Sequence, residues 1–358
     1  MQPDETMTIP RPLRKLASLQ YAVAFGLALA ACSGGSEQAD RPPGSPGSAG
    51  SAGSAGSGTG PNVGGSSASS AEVIGVFQVG IEAATSEVQV LGKVSDAPLP
   101  PNVIWEVAHE DGDCRVLTPG VPFCDPACGA NICQPGNTCL PYPVGQGVGE
   151  VTLSGVQLMS GERELILKEV VKNYQPPPGT VFAFPPFAEG DEVRVHAAGG
   201  DYPGFDLVTA AVAPLSLTSN DFALEEGKDL ELTWDAAGAG ASTQIHLKLD
   251  ISHHGGTKGM IECRTADAGS LSVPGALLTE LIGLGVAGFP TLELTRVSTA
   301  SVGIGRGRVE LKVSAFAGQA VTIAGFDSCT ATTCEDPNDT DCVPCPNGLE
   351  CQSDLTCK

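Results

Sequence analysis

Period-2 alternation of apolar and polar residues is the feature that most restricts this chain, because it sends successive side chains to opposite faces of an extended strand. Leu230, Leu232 and Trp234 alternate with Glu231, Thr233 and Asp235; Ile245, Leu247, Leu249 and Ile251 alternate with Gln244, His246, Lys248 and Asp250; Val309, Leu311 and Val313 alternate with Glu310 and Lys312. Val88/Val90, Val151/Leu153, Leu165/Leu167 and Val193/Val195 repeat the theme more loosely. The pattern predicts strands at Val212–Leu217, Leu230–Trp234, Gln244–Ser252, Met260–Arg264, Ser270–Val273, Thr291–Val297 and Arg308–Phe316. Short strands at this spacing define an antiparallel sandwich. One helix is expected from Pro274 to Ile282, with Ser272 and Pro274 at its start, Leu277, Leu278, Leu281 and Ile282 on one face, and Gly283 to stop it. The expected fold is all-β, with two β-sandwich-like domains at 73–204 and 205–326.

Thirteen cysteines add a second constraint. Cys124, Cys128, Cys133 and Cys139 follow C-x3-C-x4-C-x5-C, and Cys342, Cys345, Cys351 and Cys357 follow C-x2-C-x5-C-x5-C. Both clusters sit among Gly, Pro, Asn and Asp, with too few apolar residues to fold without covalent staples. The first forms a cysteine-rich insert at 114–139 and the second an acidic C-terminal module at 327–358. They are similar to the small cysteine knots and EGF-like turns of secreted proteins. If each cluster closes on itself, Cys114, Cys263, Cys329 and Cys334 supply the last two bridges, in any of three connectivities. A zinc site at Cys342 and Cys345 fits poorly, since no histidine lies near and disulfides belong to oxidising compartments. Asp336, Asn338, Asp339 and Asp341 are weak calcium candidates. Their run resembles the Asp-rich loops of thrombospondin-type repeats, yet it lacks the Gly needed for the sharp turn, and a solvated acidic loop is the simpler reading.

The amino terminus carries an address. Arg11, Arg14 and Lys15 precede an apolar run from Tyr21 to Ala31, too short to span a bilayer and laid out as an export signal. It ends in Leu29-Ala30-Ala31-Cys32, which resembles the lipobox of bacterial lipoproteins. The resemblance implies a signal peptide at 1–31, a diacylglyceryl group on the Cys32 thiol and acylation of the new amino terminus. It also implies outer-membrane sorting, because Ser33 stands where an Asp would signal inner-membrane retention. Setting Cys32 aside leaves an even number of cysteines for pairing. Residues 32–72 then form a Ser/Gly/Ala-rich tether with almost no apolar side chains. Further on, Asp229-Leu230-Glu231-Leu232-Thr233-Trp234 resembles the early Trp-bearing strand of fibronectin type III and related immunoglobulin-like domains, a superfold that does not fix function.

Charge narrows the function. With 41 Asp+Glu against 19 Lys+Arg the chain carries a net charge of -22, so nucleic acid is not an expected partner. An anionic bilayer would be held through acyl chains on Cys32 and not through a basic patch. The nearest grouping of chemical side chains is His246, Asp250, His253 and His254 at the end of one strand. Strand residues four apart on one face stand about 13 Å from each other, too far to share one ion. No nucleophile elbow, phosphate loop, zinc-protease helix or cofactor motif occurs. The expectation is a lipid-anchored envelope protein whose head binds an envelope or extracellular protein or polysaccharide. The alternatives are a periplasmic hydrolase, which would need a histidine hydrogen-bonded to a carboxylate at a pocket floor, and a structural envelope component.

Overall fold

The computed structural model describes residues 71–358 apart from 102, 122, 135, 220–221, 239–242, 337–338 and 340–341. The expected signal, Cys32 and nearly all of the tether lie outside the described residues. The chain first forms β1 (Val73–Glu82), β2 (Glu87–Val94), β3 (Ile104–Asp111), β4 (Cys114–Gly120), β5 (Ile132–Gln134), β6 (Thr138–Leu140), β7 (Val151–Ser154), β8 (Glu164–Val170), β9 (Asn173–Gln175), β10 (Glu192–Gly199) and β11 (Pro203–Ala210). It continues through β12 (Phe222–Leu224), β13 (Leu230–Thr233), β14 (Gln244–Asp250), β15 (Met260–Ala266), β16 (Ser270–Val273), the helix α1 (Gly275–Gly283), β17 (Thr291–Ile304) and β18 (Gly307–Ile323). The fold is all-β, as the alternation requires. No helix among the described residues is long and apolar enough to cross a membrane.

One mixed sheet carries most of the strands in the order β11-β10-β7-β8-β9-β2-β1-β18-β17-β14-β15-β4-β3, with β12 added to β18. β9 is its corner, pairing β8 on one edge and β2 on the other. The sheet turns there and brings β11 back against β17 and β18, where Thr209 Oγ1 and Ser298 Oγ share a buried hydrogen bond of 2.6 Å. Tyr174 fixes the corner: its hydroxyl accepts from the Val148 N–H at 2.7 Å and donates to Glu169 at 3.1 Å. Phe77 lies across the paired Gly92, where a Cβ would meet the ring at 2.3 Å, so only glycine leaves space for the aromatic.

The hairpin β17–β18 is the spine. β17 pairs β14 over Thr291–Val297, whereas β18 pairs β1 in parallel over Arg308–Phe316 and β12 in parallel over Val321–Ile323. Its turn, Gly305-Arg306, has positive φ only at the glycine (58°), the arrangement a two-residue type II′ loop demands. Strand pairings therefore cross the expected boundary at 204/205 twice, β1 with β18 and β4 with β15, and a hairpin (β10–β11) spans it. Ser69–Lys358 forms one compact unit with a continuous core.

Helix α1 contacts β15, β4 and β3. Leu277, Leu278 and Leu281 are fully buried, each contributing about 1.5–3 kcal/mol. Ser272 does not cap it; its hydroxyl donates to Glu231 at 2.5 Å, and Asp229 accepts from the Gly275 N–H at 2.7 Å instead. The expected strand Val212–Leu217 does not form a ladder. Pro214 lacks an N–H, and the Ala213 and Pro214 carbonyls accept from Nη1 of Arg296, each at 3.2 Å. Arg296 is 1 % exposed; its Nε donates to Asp267 at 2.5 Å, and its Nη2 to the Asp235 carbonyl. Asp267 also accepts from Trp234 Nε1 at 2.7 Å and Thr243 Oγ1 at 3.1 Å.

The twelve described cysteines form six disulfides, and the first cluster closes on itself as expected, Cys124 with Cys133 and Cys128 with Cys139. The second does not. Cys329 pairs with Cys351 and Cys334 with Cys342, leaving Cys345 to Cys357, so Cys329 and Cys334 belong to the C-terminal module. The module begins before the cluster that the spacing marks out. Cys114 bonds Cys263 directly across the β4–β15 ladder, with Cα atoms 4.0 Å apart.

Candidate functional site

The outward residues of β14, β15, β4 and β17 fall into register because directly opposed residues in antiparallel strands share a face. Arg115 of β4 faces Glu262 of β15, Glu262 faces Lys248 of β14, and Lys248 faces Glu293 of β17. This row alternates in charge across four strands. The next row sets Arg264 opposite His246 and His246 opposite Thr295. On the other side of the charged row, Met260 faces Leu117 and Leu117 faces Val107, with Trp105 two residues further along β3. Together they line an open groove of about 460 Å³, within the roughly 300–1,000 Å³ typical of small-ligand sites.

Glu262 is the centre of the polar wall. Arg115 donates to it through Nε at 3.0 Å and through Nη2, and Arg264 through Nε at 3.2 Å and Nη2 at 2.8 Å. Burial works against its negative charge, but hydrogen bonds from Arg115 and Arg264 overcome that and hold the carboxyl below its ordinary range. Lys248 lies 3.5 Å from Asp250 and 3.7 Å from Glu293. His246 is half-buried and its Nε2 has no hydrogen-bond partner. Burial, then the Arg264 charge, hold its imidazole below the usual histidine range, so it is neutral near pH 7. That nitrogen is itself buried, so the imidazole meets the groove with its carbon edge and leaves one polar atom unsatisfied beneath it.

The sequence-predicted residues are distributed unevenly. His246 lines the groove and Asp250 borders it through Lys248. The rings of His253 and His254 lie against each other, tilted by 55° with centroids 4.0 Å apart, and burial, then the His254 charge, lowers the pKa of His253. His246 has no hydrogen-bonded carboxylate among the described residues, whereas His196 Nδ1 lies 3.1 Å from Asp206 Oδ1 on the exposed face of β10 and β11. Asp336 and Asp339 are joined by a backbone hydrogen bond of 3.1 Å, while Asn338 and Asp341 lie outside the described residues. Cys124, Cys128 and Cys139, and likewise Cys329, Cys345 and Cys351, have sulfurs within 4.8 Å of one another, but every one is in a disulfide and offers no thiolate. Sequence reasoning missed Trp105, Arg115, Lys248, Glu262, Arg264, Glu293 and Thr295. Lys248, Glu262, Arg264, Glu293 and Thr295 lie in expected strands; Trp105 and Arg115 lie on β3 and β4, which the alternation did not mark, and the adjacency of all of them depends on the β4–β15 pairing. The chain matches no protein-family model, and no curated protein matches it.

Proposed function

We propose that this protein is an exported envelope lipoprotein, anchored by acyl chains on Cys32, whose disulfide-braced β head is a binding module that seats its ligand in the groove beside Glu262. The groove carries the reading. It combines a part-exposed aromatic and apolar wall with charged donors and acceptors, the composition of a recognition site. The likeness of 229–234 to immunoglobulin-like strands supports an adhesive head, and the lipobox-like run with its long polar tether supports placement at the outer membrane. Asp and Glu outnumber Lys and Arg by 41 to 19, so the lipid bilayer is reached through fatty acid and not through a basic patch.

Two measurements on the full-length chain test this. Detergent-phase partitioning and fatty-acid labelling are expected for the wild type and absent in Cys32→Ser; equal partitioning of both would reject the anchor. Retention of envelope or extracellular polymers is expected to fall in Trp105→Ala and Glu262→Gln, and unchanged retention in both would reject the groove.

A further inference from the structure

The chain has two tryptophans, and they do different work. Trp234 is 4 % exposed and its indole N–H is satisfied by Asp267. Trp105 sits part-exposed at the groove, next to Val107, Leu117 and Met260. An aromatic face beside closely spaced donors and acceptors suits a molecule that is apolar on its ring faces and hydroxylated round its rim. Sugar rings have that division, and each hydroxyl both gives and takes hydrogen bonds, which matches a floor where guanidinium, ammonium, carboxylate and imidazole alternate.

The backbone argues against a peptide strand. β14, β15, β4 and β17 are each paired on both sides, so the groove floor has no free ladder groups to add a strand to. The unpaired edge is that of β3, which is interrupted by a register shift between Val107 and His109, with His109 Nδ1 3.8 Å from Glu280 on α1. Recognition in the groove is left to side chains. From β3 to β17 they cover about 19 Å, with one strand every ~4.8 Å, a spacing comparable to one pyranose unit.

Local charge identifies the sugar. In a chain of net charge -22 the groove lining holds Arg115, Lys248 and Arg264 against Glu262 and Glu293. Both arginines use Nε and Nη2 on Glu262, and the Nη1 group of each makes no hydrogen bond among the described residues. Those N–H groups can meet an incoming carboxylate. We infer that the groove takes an extended oligosaccharide bearing carboxylate groups, laid across the strands with one ring stacked on Trp105 and an acid group between Arg264 and Arg115. This rests on the groove being the binding site proposed above.

The test uses the full-length protein in detergent, disulfides intact, titrated with galacturonate, alginate and hyaluronan oligomers, with the same oligomers after reduction of their carboxyls to alcohols, and with polyglutamate. The acidic oligomers should bind, the carboxyl-reduced forms about tenfold or more weakly, and polyglutamate not at all. Trp105→Ala should lose binding to all saccharides by about tenfold, whereas Arg264→Gln should chiefly erase the preference for acidic over neutral chains. Thr295→Arg, which fills the groove from the opposite strand, serves as a second blocking variant, and an unchanged urea midpoint shows that each variant is folded. Absence of binding to every acidic oligomer, or equal binding of acidic and reduced forms, overturns the inference. A protein retained from the envelope and lost in Trp105→Ala would overturn the saccharide while keeping the groove; retention indifferent to both Trp105→Ala and Thr295→Arg would remove the groove itself.

Discussion

Replacing Asp267 by Ala would test how the two halves of the inner face are joined. The carboxylate neutralises Arg296, which is 1 % exposed and hydrogen-bonded to the Ala213, Pro214 and Asp235 carbonyls. Removing one partner of a buried pair strands the other charge, at a cost of about 3–5 kcal/mol. Trp234 Nε1 and Thr243 Oγ1 lose their acceptor as well. In a unit of this size the loss corresponds to a fall in Tm of about 5–8 °C. Urea unfolding with disulfides intact is the direct assay, and the midpoint should drop while the slope stays constant. A change of less than about 1 kcal/mol would refute the reasoning. The pair also sets a pH dependence. Burial raises the Asp267 pKa, but hydrogen bonds from Arg296 and Trp234 and the Arg296 charge outweigh it and leave the carboxyl below its ordinary range. A depressed folded pKa means the unfolded chain binds the proton more tightly. The stability from this group is therefore complete above the unfolded pKa near ~3.9 and lost as pH falls through the folded value. Asp267→Asn, measured at several pH values, should lose stability less steeply below about pH 4 than the wild type.

The β8–β9 turn places Val171 and Lys172 at φ 51° and 60°, a type I′ geometry that suits Asn-Gly and disfavours a β-branched residue, so Val171→Asn with Lys172→Gly should raise stability by about 1–2 kcal/mol in urea titration. Replacing both Cys114 and Cys263 by Ala opens a loop of 149 residues and should cost about 5 kcal/mol in the chain-entropy account, read as a lower midpoint than that of the oxidised wild type. Gly92→Ala drives a methyl into the Phe77 ring and should destabilise by about 1–3 kcal/mol; the paired variant Phe77→Leu with Gly92→Ala should recover part of that loss.

Alternation revealed the strands wherever a solvated face opposed a buried one. Ser270–Val273 is β16 as expected, and β14 and β15 begin where the pattern starts. The ends of β17 and β18 were less legible, because Ser298-Thr299-Ala300-Ser301 and Ala317-Gly318-Gln319 carry small or polar residues on both faces. Pairing order was not legible at all. Nothing in the composition of β4 distinguishes β15 from any other neighbour, and the groove exists only once that choice is made. His246 shows the same limit: its place on a strand face could be read, but not Arg264 and Thr295 on either side of it. Among the cysteines, closure of the first cluster on itself followed from its spacing, but which of its cysteines pair, and the bridges of separation 22 and 149, required the fold.

The long terminal hairpin has a temporal consequence. β1 waits for β18, its parallel neighbour on one side, until more than two hundred residues have been made, and β12 waits for the far end of the same strand. Such late closure means slow assembly dominated by distant contacts. A nascent chain stopped before residue 308 keeps an open seam along its oldest strand, and that seam is filled only once β18 has been made through Phe316.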